Sequence, residues 1–254
     1  MKILTTHITI SSLIIAVGLL TGCATSKPGS GHCPASKQCE VKCDSAAPTV
    51  SLPPTKSAQE AMTPAAALAQ LKAGNARFVA DKPAHRDSKA ERAATAAGQY
   101  PFAVVLSCLD SRTSSEIIFD QGIGDIFNAR VAGNVLNDDI LGSMEFACKA
   151  AGAKLIAVVG HTKCGAVKGA CTGVELGNLT SLLAKIKPAD AAVPATGDKG
   201  SYAHVDAVAQ ENVKLVMAQI KERSPILSEL IREGKVGLVG GMYDLESGKV
   251  KFLE

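Results

Sequence analysis

The chain has 254 residues, 46% of them hydrophobic and 20% charged, which excludes a disordered or low-complexity protein. Its 27 basic and 24 acidic side chains leave a formal charge of +3, too balanced for a nucleic-acid footprint, so no nucleic-acid partner is expected. Eight cysteines in this length are too few for a disulfide scaffold and have to be read one by one.

Lys2 is the only charge before Cys23, Ile3 to Leu20 is largely apolar, and the stretch ends Leu20-Thr21-Gly22-Cys23. A basic start, an apolar run and small residues before a cut define residues 1–22 as a signal peptide. The apolar run is short and broken by Thr and Ser, which favours a cleaved signal over a spanning helix. A Cys directly after the cut resembles the bacterial lipobox. That resemblance implies diacylglycerol on the Cys23 sulfur, acylation of the new amine, and a lipid anchor to a membrane of the bacterial cell envelope, facing the periplasm.

Residues 23–60 are Pro, Ser, Lys, Thr and Ala with almost no large apolar side chain, and are expected to form a flexible tether. Cys33, Cys39 and Cys43 lie in it with C-x5-C-x3-C spacing, which suits zinc poorly. Two readings stand for them: a disulfide with one thiol left over, in an oxidising compartment, or incidental cysteines in an irregular linker.

The globular part is expected over residues 61–254. Thr63-Pro64 reads as an N-cap and first helical residue, with the helix continuing through LAQLKAGNARFV. A second, Ala-rich helix is expected over Ser88–Ala97. The apolar run Phe102–Ser107 reads as a buried strand. Thr113-Ser114-Ser115-Glu116 has capping-box form. Asp125–Val131 is a second strand, Asn137–Ala151 a helix capped by Asn137, and Lys154–Gly160 a third strand. Helical patterns follow near Gly165–Ala170, Leu179–Ile186, Ala203–Arg223 and Pro225–Glu233. Val236–Tyr243 is a fourth strand, and a turn at Glu246-Ser247-Gly248 leads into a short final one. Strands alternating with helices predict an α/β fold, a mostly parallel β-sheet with an antiparallel edge strand, flanked by helices.

Ligands of such sheets gather beyond the carboxyl ends of the strands. Cys108 and Asp110 follow the first strand, His161 and Cys164 the third. Two thiols and an imidazole would leave one tetrahedral position on zinc open, which is the catalytic arrangement. Cys148, inside the apolar pattern EFACKA, reads as a small core residue. Cys171 ends a helical stretch and is left unassigned. Asp110 stands two residues beyond a ligand, where a carboxylate can accept a hydrogen bond from hydroxide on the metal, and Arg112 is placed to keep it ionised. His85 and His204 read as ordinary surface or capping residues.

At these residues the chain resembles the β-class carbonic anhydrases: CLDSR, then EIIFDQGIGDIFNARVAGN, then HTKCGAVKGA, with the likeness running over about residues 64–254. The resemblance implies a catalytic domain at 61–254 that hydrates carbon dioxide reversibly to bicarbonate and a proton. It implies one zinc ion per chain on Cys108, His161 and Cys164, with Asp110 and Arg112 as the catalytic dyad. It also implies a homodimer or higher even oligomer, in which Gln99 reaches the partner's site and Phe127 narrows the pocket. Thr113-Ser114-Ser115 departs from the family's usual turn and is expected to touch no ligand. Three other readings stay open. One is a hydrolase of carbon disulfide or carbonyl sulfide on the same fold. Another is a zinc-binding lipoprotein without catalysis, which has no use for Asp110 and Arg112. The third, a zinc dehydrogenase, lacks the third glycine after Gly122-Ile123-Gly124.

Overall fold

The computed structural model describes residues 51–195 and 197–253. The signal peptide, the lipobox with Cys23, and the tether cysteines Cys33, Cys39 and Cys43 lie outside the described residues.

Five strands form one sheet: β1 (Ala103–Ser107), β2 (Ile126–Arg130), β3 (Leu155–His161), β4 (Gly237–Tyr243) and β5 (Val250–Phe252). Their spatial order is β2-β1-β3-β4-β5. The first four are parallel and β5 is antiparallel to β4, as expected. β1 and β3 are buried throughout, so both of their faces are covered and their sequences carry no polar alternation. Side-chain direction still alternates. Val104, Leu106, Ile156 and Val158 enter one core layer, while Ala103, Val105, Leu155 and Ala157 enter the other.

Ten helices are described: α1 (Lys56–Ala61), α2 (Pro64–Val79), α3 (Ser88–Thr95), α4 (Ser115–Ile118), α5 (Asp138–Glu145), α6 (Gly165–Cys171), α7 (Gly177–Ala184), α8 (Lys187–Ala192), α9 (Tyr202–Arg223) and α10 (Pro225–Arg232). Thr63 caps α2 by accepting from the Ala66 amide, and Asn137 caps α5 by accepting from Ile140. The helix expected to run on to Ala151 changes at Phe146 into one π-helical turn, Phe146–Ala150. α8 lies where no element was expected. α1 falls inside the stretch read as tether; it docks through Gln59, 4% exposed, whose Nε2 donates to the carbonyls of Pro101 and Ala151 at 2.7 and 2.9 Å.

The helix that matters most for the site is α9. It packs closely on β3 and β4 because glycines leave room: a Cβ on Gly240 would stand 2.7 Å from Met217 Sδ, and one on Gly160 2.9 Å from Val213 Cγ2. This brings buried residues of α9 against the loops at the carboxyl end of the sheet.

Candidate metal centre

β1 and β3 are hydrogen-bonded neighbours, with Ser107 opposite Val159, so the segments leaving their carboxyl ends emerge side by side. Cys108 follows β1, His161 ends β3, and Cys164 is the N-cap residue of α6. The turn between the last two is tight, with Lys163 in the left-handed region at φ 56°. Asp206, on α9, fixes that turn by accepting from the Lys163 amide at 2.6 Å. Thr162 Oγ1 accepts from the Leu245 amide at 3.0 Å.

The three side chains converge as the sequence predicts. Cys108, His161 and Cys164 are 4%, 1% and 1% exposed, and their donor atoms all lie within 4.8 Å of one another. The two sulfurs are 4.0 Å apart. His161 Nδ1 lies 2.9 Å from the Thr162 carbonyl; as the protonated nitrogen it donates there, leaving a lone pair on Nε2. Nε2 is buried and has no hydrogen-bond partner. Such an orphaned atom is costly unless something occupies the space before it. Two thiols and an inward-facing imidazole lone pair fit zinc, whose ligands are Cys sulfur and His nitrogen. The Cys164 thiol, by donating to its neighbour, holds the Cys108 thiol well below its usual range, and Cys164 is pushed up in return. The cluster therefore already favours one thiolate, the form that binds metal.

Asp110 and Arg112 form a fork-to-fork pair. Arg112 Nε donates to Oδ1 at 2.9 Å and Nη2 to Oδ2 at 2.7 Å, while the Arg112 amide adds a third bond at 3.0 Å to Oδ1. These bonds hold the Asp110 carboxyl well below the usual carboxylate range. Its Oδ2 stands 3.9 Å from His161 Nε2, so the carboxylate faces the metal-ligating cluster.

Three supports were missed in the sequence. Thr113 is not a helix cap: α4 begins after Ser114, and the buried Thr113 hydroxyl instead donates to the carbonyls of Cys108 and Asp110 at 3.0 and 2.9 Å. The expectation that this departure touches no ligand is corrected, since Thr113 braces the backbone of one. Arg130 donates to the same two carbonyls, at 3.0 and 2.5 Å. Gly133, at φ 64°, aims its amide at Cys108 Sγ from 3.3 Å. A hydroxyl that braces a loop and one that caps a helix look alike in sequence.

Gln99 is exposed in the loop entering β1, at the opposite end of that strand from Cys108. Phe127, the second residue of β2 and opposite Val104 of β1, packs edge-on to Phe146 and lines a cavity of about 570 Å³ with Asn128, Asp138 and Asp139. Cys148 is a buried core residue, as expected, and burial pushes its thiol up to about 12. His85 is exposed. His204 is not a surface residue: it is 9% exposed and gathers with Cys171 and Asp190.

Residues 103–250 match the family model described as carbonic anhydrase. Carbonic anhydrase 2 of Mycobacterium tuberculosis is 40% identical over 192 residues, a match covering 73% of this chain and 91% of that protein. Among solved structures, the β-carbonic anhydrase CafA of the fungal pathogen Aspergillus fumigatus superposes with a TM-score of 0.59 at 26% identity, covering 75% of this chain and 90% of that one. A structure from a study of two tetrameric β-carbonic anhydrases of the ascomycete Sordaria macrospora gives a TM-score of 0.56 at 25% identity, covering 62% and 83%.

Proposed function

The chain belongs to the β-class carbonic anhydrases, zinc enzymes that hydrate carbon dioxide to bicarbonate and a proton, and from that premise we propose what its own residues do. Cys108, His161 and Cys164 hold the zinc. The observation that carries this assignment is the orphaned His161 Nε2, buried between two thiols. When bound, zinc supplies Lewis acidity that makes water acidic enough to yield a nucleophile near neutral pH.

Asp110 accepts the hydrogen bond of the attacking oxygen. Its Oδ2 is the atom turned toward the cluster, and Arg112 occupies the carboxylate's remaining acceptor directions. A carboxylate held this firmly stays ionised and accepts but does not donate, so it orients the nucleophile's lone pair toward carbon dioxide. Thr113 and Arg130 fix the Cys108–Asp110 backbone, so ligand and dyad move as one unit.

Gln99 donates to the developing oxygen charge and Phe127 narrows the pocket. Since Gln99 is at the far end of β1 from Cys108, it serves the site of a second copy. The working unit is therefore a homodimer or a higher even oligomer. The tetrameric β-carbonic anhydrases among the structural neighbours support this reading. Acyl chains on Cys23 anchor the catalytic domain to a membrane of the bacterial cell envelope, facing the periplasm. The support is the lipobox sequence, and no described helix is long and apolar enough to cross a membrane.

The test is stopped-flow hydration of carbon dioxide by the zinc-loaded protein, with zinc content measured in parallel. Cys164→Ser should lose both metal and hydration. A variant that kept stoichiometric zinc would show the ligand assignment to be wrong.

A further inference from the structure

Outside the catalytic cluster, one other group of metal-ligating side chains gathers among the described residues: Cys171, Asp190 and His204, whose donor atoms lie within 4.8 Å of one another. They come from three separate helices. Cys171 is the last residue of α6, Asp190 is in the first turn of α8, and His204 is in the first turn of α9, where Ser201 caps the helix by accepting from the His204 amide. Cys171 and His204 are buried and Asp190 is mostly so. Helix α6 starts just after the catalytic ligand Cys164, so Cys171 lies about 10 Å from it along the helix axis.

We propose that Cys171, Asp190 and His204 form a second site for a borderline divalent cation, of which zinc is the best match. The donor set carries the choice. Thiolate and imidazole together select zinc or a late transition metal over calcium or magnesium, which take oxygen ligands. His204 Nε2 is 2.8 Å from Asp190 Oδ1. Ligands on a tetrahedral zinc at ordinary bond lengths stand about 3.3 Å apart, so this contact opens by only about half an ångström to admit the ion. Cys171 Sγ then completes the third position; its thiol proton and the Nε2 proton that His204 shares with Asp190 both leave, and Nδ1 carries the proton of the neutral ring.

The surroundings are arranged as for a metal ligand. Lys199 Nζ holds the other carboxylate oxygen, Oδ2, at 2.8 Å, which fixes the carboxylate and leaves Oδ1 directed at His204. Lys199 is about half exposed, so solvent screens part of its charge. His204 also lines a cavity of about 260 Å³ with Val193, Pro194 and Ser201, so one of the three ligands borders open space. A nucleophilic role is the competing reading for such a trio. Burial pushes the Cys171 thiol up to about 11, and the histidine contacts the carboxylate, so the trio lacks the low-pKa thiol such a nucleophile needs. Drawn from three helices, the site ties α6, and with it the turn bearing Cys164, to α8 and α9.

The experiment counts zinc on the full chain after equilibration in a zinc-buffered solution, by inductively coupled plasma mass spectrometry. The chain also carries Cys33, Cys39 and Cys43, so the reading is a difference between proteins that share them. Cys171→Ala and His204→Gln should each bind one zinc fewer than the unaltered protein. Equal counts overturn the proposal and leave the trio as a hydrogen-bonded network. If neither variant folds, anomalous scattering at the zinc edge from crystals of the unaltered protein decides. A peak among Cys171 Sγ, Asp190 Oδ1 and His204 Nε2 is expected. Its absence while the Cys108–His161–Cys164 site is occupied overturns the proposal and leaves the catalytic assignment standing.

Discussion

The carboxamide of Asn212, 1% exposed on α9, donates to the carbonyl of Gly133 at 2.8 Å. The amide of the same glycine points at Cys108 Sγ. A helix far along the chain thus aims a hydrogen bond at the sulfur of a proposed zinc ligand through one peptide group. Donors to a ligating sulfur temper its charge and hold its direction, and removing such outer partners typically costs 10–100-fold in metal affinity or activity.

Asn212→Ala leaves the buried Gly133 carbonyl without a partner, at a cost of about 1–3 kcal/mol in stability. It also frees the loop that presents the Gly133 amide. The expected outcome is a lower urea midpoint together with faster zinc loss to a chelator. A variant with the midpoint shift but unchanged zinc retention would restrict Asn212 to holding the loop.

Thr113→Val keeps the shape of the side chain and deletes the hydroxyl. Two carbonyls at the head of the site, those of Cys108 and Asp110, then lose a donor, although Arg130 still reaches both. Stability should fall by about 0.5–1.5 kcal/mol, the net worth of a hydrogen bond whose acceptors keep a second donor. Hydration should fall through kcat, because the dyad, and not the substrate pocket, is loosened. A rise in KM alone would contradict the bracing role.

Asp110→Asn should leave the zinc content close to that of the unaltered protein and reduce hydration on the order of 10²–10⁴-fold, the usual range for a positioned proton acceptor. The amide can donate where the carboxylate only accepts, so it misorients the nucleophile, while the three ligands are untouched. Stopped-flow rates and metal analysis on the same sample check both halves. Catalysis at the original rate would reduce the pair with Arg112 to a structural one.

The convergence of Cys108, His161 and Cys164 was legible because two short apolar runs, FAVVLS and KLIAVVG, read as buried strands, and the chemistry-bearing residues follow directly after them. What holds the cluster was not legible. Asn212 and Asp206 sit in a 22-residue helix, α9, whose pattern reveals only its apolar face; their partners lie 79 and 43 residues away. α1 escaped notice because the side chain that docks it, Gln59, is polar and works by hydrogen bonds, not by area. His204 looked like a surface residue for a related reason. Its burial comes from α8, an element of six residues with no strong periodicity, which brings up Asp190 as its partner.

The last prediction concerns Cys23. If acyl chains supply the membrane affinity, Cys23→Ser should move the protein from the membrane fraction to the soluble one on expression in a bacterial host. One acyl chain binds membranes only marginally, whereas several on one cysteine anchor it stably, so the shift should be close to complete. The catalytic domain begins more than 30 residues beyond Cys23, and the variant should hydrate carbon dioxide at the rate of the unaltered protein. Carbonate washing and membrane pelleting, with activity measured in each fraction, make the comparison. A variant that still pelleted after the wash would point to an uncleaved apolar segment as the anchor.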